Sequence, residues 1–341
     1  MKPFLIATAA TFALAAGAVA PAVTAGPVAS PAAAAPQDRL VLPPPKPGHR
    51  RPLVAVVADS AGAETADLVV PFGVLRESGL ADVRTVATAP GPVRLFRAIR
   101  IQPDQTLAQF DRAAPEGADI VIVPAQKRPD SPALTAWLRA QAARGATVVS
   151  ICEGARVLAA ADLLAGRRVT THWHALPDLE RNHPEATWVR DRRYVQDGRI
   201  ISTTGVAAAL PVSLALVEAI GGPQAAHDVA ERLGAGGWSA AHRTADFGLG
   251  AGDYARIVLT ILAFWTHEKV EAPVADGVDE IALALRADAW ARSFRGEVLT
   301  TRAGRAPARS RRGLVILPDA EPSGGRRYVL QASEVRPAGQ L

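Results

Sequence analysis

Cysteine is almost missing from this chain: Cys152 is the only one among 341 residues. That excludes an internal disulfide and a cysteine-built zinc site. Aromatic residues are scarce too, at 5% of a chain that is 49% hydrophobic, so aliphatic side chains must fill the core. There is no internal repeat and, towards the C-terminus, no tandem helix-turn-helix pattern. Nor does an Arg-Arg pair precede the N-terminal apolar run, which makes Sec-type export a simpler reading than twin-arginine export.

That apolar run is the first positive signal. Met1-Lys2 gives a basic start, Phe4 to Val19 is small and apolar, and Val23-Thr24-Ala25 offers a small-residue cleavage site. Residues 1–25 therefore read as a signal peptide and 26–51, with Pro43-Pro44-Pro45, as an extended Pro/Ala-rich linker. The expected location is periplasmic or secreted, with no stable membrane insertion after cleavage. The alternative is an uncleaved anchor facing outside the cytoplasm. Net charge is +5, but from Arg286 onward 11 arginines face 5 acidic residues, so the rest of the chain is nearly neutral. The basic character belongs to the tail and does not predict specific nucleic-acid binding.

Past the linker, strand and helix signals alternate. Leu53–Ala58, Val83–Ala87, Asp119–Pro124, Thr147–Ile151 and Arg199–Thr203 are β-branched runs. A short extended pair is expected within Val93–Ile101. Helices are expected over Thr65–Ser78, stopping at Gly79, over Ser131–Arg144, stopping at Gly145, and over Val206–Ile220. The fold class is α/β: a parallel sheet with helices on both faces, followed by a mixed C-terminal extension. In such sheets ligands bind beyond the strand C-termini, where Asp59, Pro124, Cys152 and Thr204 fall.

Cys152 sits where a β-branched strand turns into a helix-periodic segment, the arrangement of a nucleophile elbow. A helix N-terminus there favours thiolate, so an exposed thiol with a lowered pKa is expected. The bland reading is a small buried hydrophobe. Glu64 and Asp67 fall early in the first helix, and Glu64 reads as a solvated first-turn glutamate. His172-Trp173-His174 suggests a metal site only superficially, since no second ligand cluster accompanies it.

Cys152-Glu153-Gly154-Ala155, followed by Gly166-Arg-Arg-Val-Thr-Thr-His172-Trp173, resembles the signature of the ThiJ/PfpI superfamily, with its class I glutamine-amidotransferase-like (flavodoxin-like) fold. Asp67, four positions before Pro71, matches the family's acidic position, and Gly221-Gly222 closes the last helix. The resemblance spans about Pro52 to Gly222 and is nearest to isocyanide hydratases and to the amidase-like domains of AraC-type regulators. It implies Cys152 as nucleophile, Asp67 as general acid/base and His172 as a neighbouring histidine. Ala125, Gln126, Glu153, Gly154 and Thr204 are the implied oxyanion or substrate-binding positions. No cofactor and no metal are implied.

Three positions depart from the family. Pro124-Ala125-Gln126 replaces a Gly-Gly pair, leaving Gln126 as a side-chain donor for the oxyanion hole. Glu153 stands where a neutral residue is usual and is expected to point outward. Leu210-Pro211 replaces an isoleucine-aspartate pair. The expected domain spans 52–235 and the extension 236–341. Within the extension, Asp253–His267 is amphipathic, Asp279–Phe294 forms another element, Thr300–Arg312 is mobile, and Leu314–Leu317 pairs with Tyr328–Leu330 as a β-hairpin. The extension is expected to pack on the core or to mediate a homodimer. The functional expectation is a cysteine-dependent hydratase/lyase or hydrolase acting on a small molecule. A non-catalytic ligand-binding or redox-sensing module is the alternative, and a protease a weaker third.

Overall fold

The computed structural model describes residues 39–96, 98–323 and 329–330. The signal peptide (1–25) and the start of the linker lie outside them. Along the chain, β1 (Leu53–Ala58) leads into α1 (Thr65–Ser78), β2 (Asp82–Ala87), β3 (Val93–Arg94), β4 (Arg100–Gln102) and β5 (Gln105–Thr106). Next come α2 (Leu107–Ala113), β6 (Ile120–Val123), α3 (Pro132–Ala143), β7 (Thr147–Ser150) and α4 (Ala155–Ala160). The chain continues through β8 (Arg168–Val169), α5 (Leu176–Asn182), β9 (Thr187–Trp188), β10 (Tyr194–Asp197), β11 (Ile200–Thr203) and α6 (Ala209–Arg232). The extension contains α7 (Ala251–Leu262), β12 (Glu268–Pro273), α8 (Glu280–Ala291), β13 (Gly296–Thr301), β14 (Ala308–Arg309) and β15 (Val315–Ile316).

The central sheet has seven strands in the order β10-β11-β7-β6-β1-β2-β5, parallel throughout except for β10 against β11. Val54 to Val57, Val121 to Val123 and Val148 to Val149 are fully buried, as strands covered on both faces require. Gly79 ends α1 at φ 67°, and Gly222 breaks α6 at φ 86° before the helix resumes at Pro223. β3 and β4 form the expected antiparallel pair.

The extension differs from its sequence reading in three ways. Leu314–Leu317 makes no hairpin with Val329–Leu330 among the described residues: β15 pairs antiparallel with β14 and with β4 of the main body, while Val329 bridges Glu271. Tyr328 lies outside the described residues. Thr300–Arg312 is tied down, because Arg302 pairs with Asp276 and the nearly buried Arg312 reaches Glu77, Asp279 and Glu280. α7 buries no residue, and its Tyr254, Val258 and Ile261 stripe faces solvent. By contrast α8 packs on α1, where Gly73 admits Ile281: a Cβ there would lie 2.5 Å from the isoleucine side chain. Ile281, Leu283, Val298, Leu314 and Ile316 join the same apolar core as β1 and α1. The described part of the linker also packs down, with Leu40 buried and His49 Nδ1 2.6 Å from Asp119 Oδ2.

Candidate active site

The turn after β7 is built to present one side chain. Ile151 is still extended (φ −110°, ψ 135°), Cys152 takes φ 55°, and residues 152–154 form a 3-10 turn leading into α4. A positive φ at a residue with a Cβ costs about 1–3 kcal/mol and persists only where the surroundings impose it. Here they do. The Cys152 amide donates to the Thr204 carbonyl (3.0 Å) and to Thr203 Oγ1 (3.3 Å), and Thr171 Oγ1 donates to the Cys152 carbonyl (3.1 Å). Gly154 lets this turn meet the end of β6, since a Cβ would stand 2.1 Å from the Val123 carbonyl oxygen. Its amide bonds Ile151 O at 2.8 Å. Thr204 and Gly154 thus hold the elbow and, contrary to expectation, do not line the cavity in front of it.

That cavity has a volume of about 620 Å³. Cys152, Glu153 and His172 meet there with Ala125 and Gln126 on the sheet side, and with Glu64 and Phe96 beside them. Arg292, Glu297 and Val298 of the extension form the other side. Asp67, with no exposed surface, lies beneath and accepts the Ala125 amide at 3.2 Å through Oδ2. Its Oδ1 has no hydrogen-bond partner among the described residues.

The electrostatics correct the expected thiol. Cys152 is only 5% exposed. Burial first, then the charges of Asp67 and Glu64, push the thiol well above its ordinary value; the Glu153 amide, donating to the sulfur, acts in the opposite sense. Burial raises the Asp67 carboxyl to about 7, against the pull of the Ala125 amide and Arg292. Burial lowers His172 to about 4, so its imidazole is neutral at neutral pH. The His172 ring accepts the His174 amide at Nδ1 (3.2 Å), which assigns its proton to Nε2. Asp67 is therefore the group beneath the elbow that titrates near neutral pH, while the thiol above it keeps its proton.

Two more expectations change. The Gln126 side chain is not an oxyanion donor: its amide nitrogen bonds the carbonyls of Val57 and Pro124 (3.1 Å each), and its oxygen takes the Asp59 amide at 2.8 Å. Ala125 lines the cavity, but its amide is engaged by Asp67. Glu153 does not point away. It lines the cavity, held by Arg156 (2.9 Å) and His174 (3.1 Å), and these partners keep it ionised against the desolvation that opposes them.

Glu64 is the residue whose sequence reading was furthest off. It is the N-cap of α1, 8% exposed, with Oε1 2.9 Å from Arg292 Nη2. Arg292 also bonds Asp288 through Nε at 2.7 Å. Burial raises the Glu64 carboxyl far above its usual range, and the Asp67 charge and a hydrogen bond that the protonated Glu64 donates to Asp288 raise it further. Asp288 and Arg292 were not singled out from sequence. Their only signal was an i,i+4 acid–base pair, which also marks ordinary solvated helix faces.

A strained cysteine at a strand-to-helix elbow, a buried carboxylic acid beneath it and an adjoining cavity define a DJ-1/ThiJ-type α/β protein. Residues 53–219 match the model described as DJ-1/PfpI family, and the chain belongs to that family. Protein dj-1beta of Drosophila melanogaster is 27% identical over 184 residues, covering 52% of this chain and 95% of that protein. Its crystal structure superposes with a TM-score of 0.49 at 25% identity, covering 54% of this chain and 98% of that one. Isonitrile hydratase of Pseudomonas putida is 38% identical over 100 residues (28% of this chain, 41% of that protein). The HTH-type transcriptional regulator CdhR of Pseudomonas aeruginosa is 32% identical over 146 residues, 42% of each chain.

Proposed function

We propose that this chain is an exported cysteine-dependent enzyme that adds water to a small electrophilic molecule, an isonitrile being the substrate suggested by the hydratase relative. The observation that carries this reading is Cys152, held at φ 55° over a buried Asp67 whose pKa lies near 7. A carboxyl with that value both takes and returns a proton at neutral pH. Asp67 takes the thiol proton as sulfur bonds the terminal isonitrile carbon, then delivers it to that carbon to leave a thioimidate. Water adds to the same carbon, with one hydrogen passing to nitrogen. Breaking the C–S bond then releases the N-substituted formamide and returns the proton to the Cys152–Asp67 pair. The Glu153 amide, aimed at the sulfur, stabilises the thiolate at each end of the cycle.

A second reading, a ligand-binding sensor without turnover, is favoured by the engaged Ala125 amide and Gln126 side chain, which remove two oxyanion donors. One experiment separates the two. Protein recovered from the extracytoplasmic fraction is incubated with a simple alkyl isonitrile and formamide is followed by NMR, with Cys152→Ser and Asp67→Asn alongside. Formamide from the wild type, lost by at least about a thousandfold in Cys152→Ser, supports the enzyme. Saturable binding with no formamide overturns it in favour of the sensor, and recovery from the cytoplasm alone overturns export.

A further inference from the structure

The geometry points to Arg292, supplied by the C-terminal extension, as a positioning residue of the cysteine site: it holds Glu64 and Asp288 in one cluster and sets the reactivity of Cys152 through their charge. This rests on the reading of Cys152 as the reacting atom.

Three observations carry it. Arg292 caps the C-terminal end of α8, and its side chain lines the same cavity as Cys152, 140 positions earlier in the chain. Its guanidinium joins two elements at once, bonding Glu64 Oε1 of α1 at 2.9 Å and Asp288 Oδ2 of its own helix at 2.7 Å. The remaining oxygens, Glu64 Oε2 and Asp288 Oδ1, are buried with no other donor among the described residues, which leaves the two carboxyls to hydrogen-bond each other. Glu64, its carboxyl pushed far up by burial and by the acids beside it, keeps its proton, and Arg292 stands against the negative charge of the cluster.

The thiol therefore faces a crowded set of charges. Asp67 and Glu64 approach from α1, Glu153 from its own turn, and Asp288 and Arg292 from α8; the neutral His172 completes the set. Glu297, Arg94 and Lys127 stand further around the cavity wall. Within this set Arg292 is the only cation paired to Glu64. Without it, the Glu64–Asp288 cluster carries uncompensated negative charge beside the sulfur and the cation that favours thiolate is gone. Drosophila dj-1beta is 95% covered by a match of 184 residues, so a 341-residue chain carries this wall as an addition to the shared domain.

The test reads the thiol directly and needs no turnover, so an inactive hydratase would leave it standing. Iodoacetamide alkylation of Cys152 is followed from pH 7 to 12 in the full chain, with folding checked by circular dichroism at each pH. Arg292→Met should raise the midpoint by about one unit or more and slow alkylation at pH 7 by about tenfold. Arg292→Lys should recover most of the rate. Arg292→Met with Asp288→Asn should return the midpoint towards wild type, because the carboxylate that Arg292 balances on its own helix is gone. A folded Arg292→Met protein with an unmoved midpoint overturns the proposal. Should that variant fail to fold, a folded Arg292→Met/Asp288→Asn protein shifted upward, or a folded Arg292→Lys protein slowed tenfold, overturns it instead.

Discussion

The two walls of the Cys152 cavity are held by different forces. On the sheet side, β7, β6 and β11 fix the elbow through backbone hydrogen bonds and close apolar packing, with Gly154 against Val123. On the extension side, α8 rests its apolar face on α1, but its two ends, the C-terminal one at the cavity and the N-terminal one away from it, are fastened by ion pairs. Arg292 joins Glu64 and Asp288, and Arg312 joins Glu77, Asp279 and Glu280. The first wall tolerates changes in charge and little change in volume. The second should answer to charge.

The largest expected effect belongs to the sheet wall. Gly154→Ala places a methyl group between two backbones that have no room to part, and it should cost more than about 4 kcal/mol in urea unfolding. A cost below about 1 kcal/mol would show that this wall yields to volume after all. Next is Arg312→Ala, which leaves three carboxylates without their buried partner, the Arg312 side chain being 5% exposed. Its cost should be about 3–5 kcal/mol at neutral pH and should shrink in acid, as the carboxylates take protons. An equal cost at pH 4 and pH 8 would contradict the ionic account of this wall.

The smallest effect tests the group between the walls. Asp67 has a folded pKa of about 7 and an ordinary value of 3.8. The folded state therefore binds its proton more tightly than the unfolded chain does. The stability Asp67 contributes is fully present below about pH 4 and is lost as pH rises through 7, by at most about 4 kcal/mol. Asp67→Asn should be the less stable protein in acid and should gain on wild type as pH rises from 4 to 8. A difference that stays flat across that range would mean that Asp67 is already ionised in the folded protein.

The sheet wall could be read from sequence because local pattern dictates it. Runs such as Leu53–Ala58 and Ile120–Val123 have no polar face to expose, and Cys152 follows such a run directly before an apolar-periodic segment. The extension wall depends on contacts between distant positions: Glu64 and Arg292 are 228 residues apart. Nothing near Glu64 distinguishes it from a solvated helix-start glutamate. Nothing near Leu314–Leu317 says that its partner is Arg100–Gln102 and not the next apolar run. The thiol pKa was misjudged for a related reason. The helix N-terminus is visible in sequence, but the burial that outweighs it, and the carboxyls behind it, are properties of the folded molecule.

The order of the chain carries a consequence for how the protein comes into being. Ribosomal synthesis delivers Cys152, Asp67 and Glu64 well before Arg292, and domains fold as they emerge, from the N-terminus. A nascent or truncated chain ending before α8 holds the cysteine and both acids but not the guanidinium that balances them. On the proposed role of Arg292, the charges around the thiol are complete only when the final third of the polypeptide docks. On that reading, the reactivity of the sole cysteine is decided by the last part of the chain to be made.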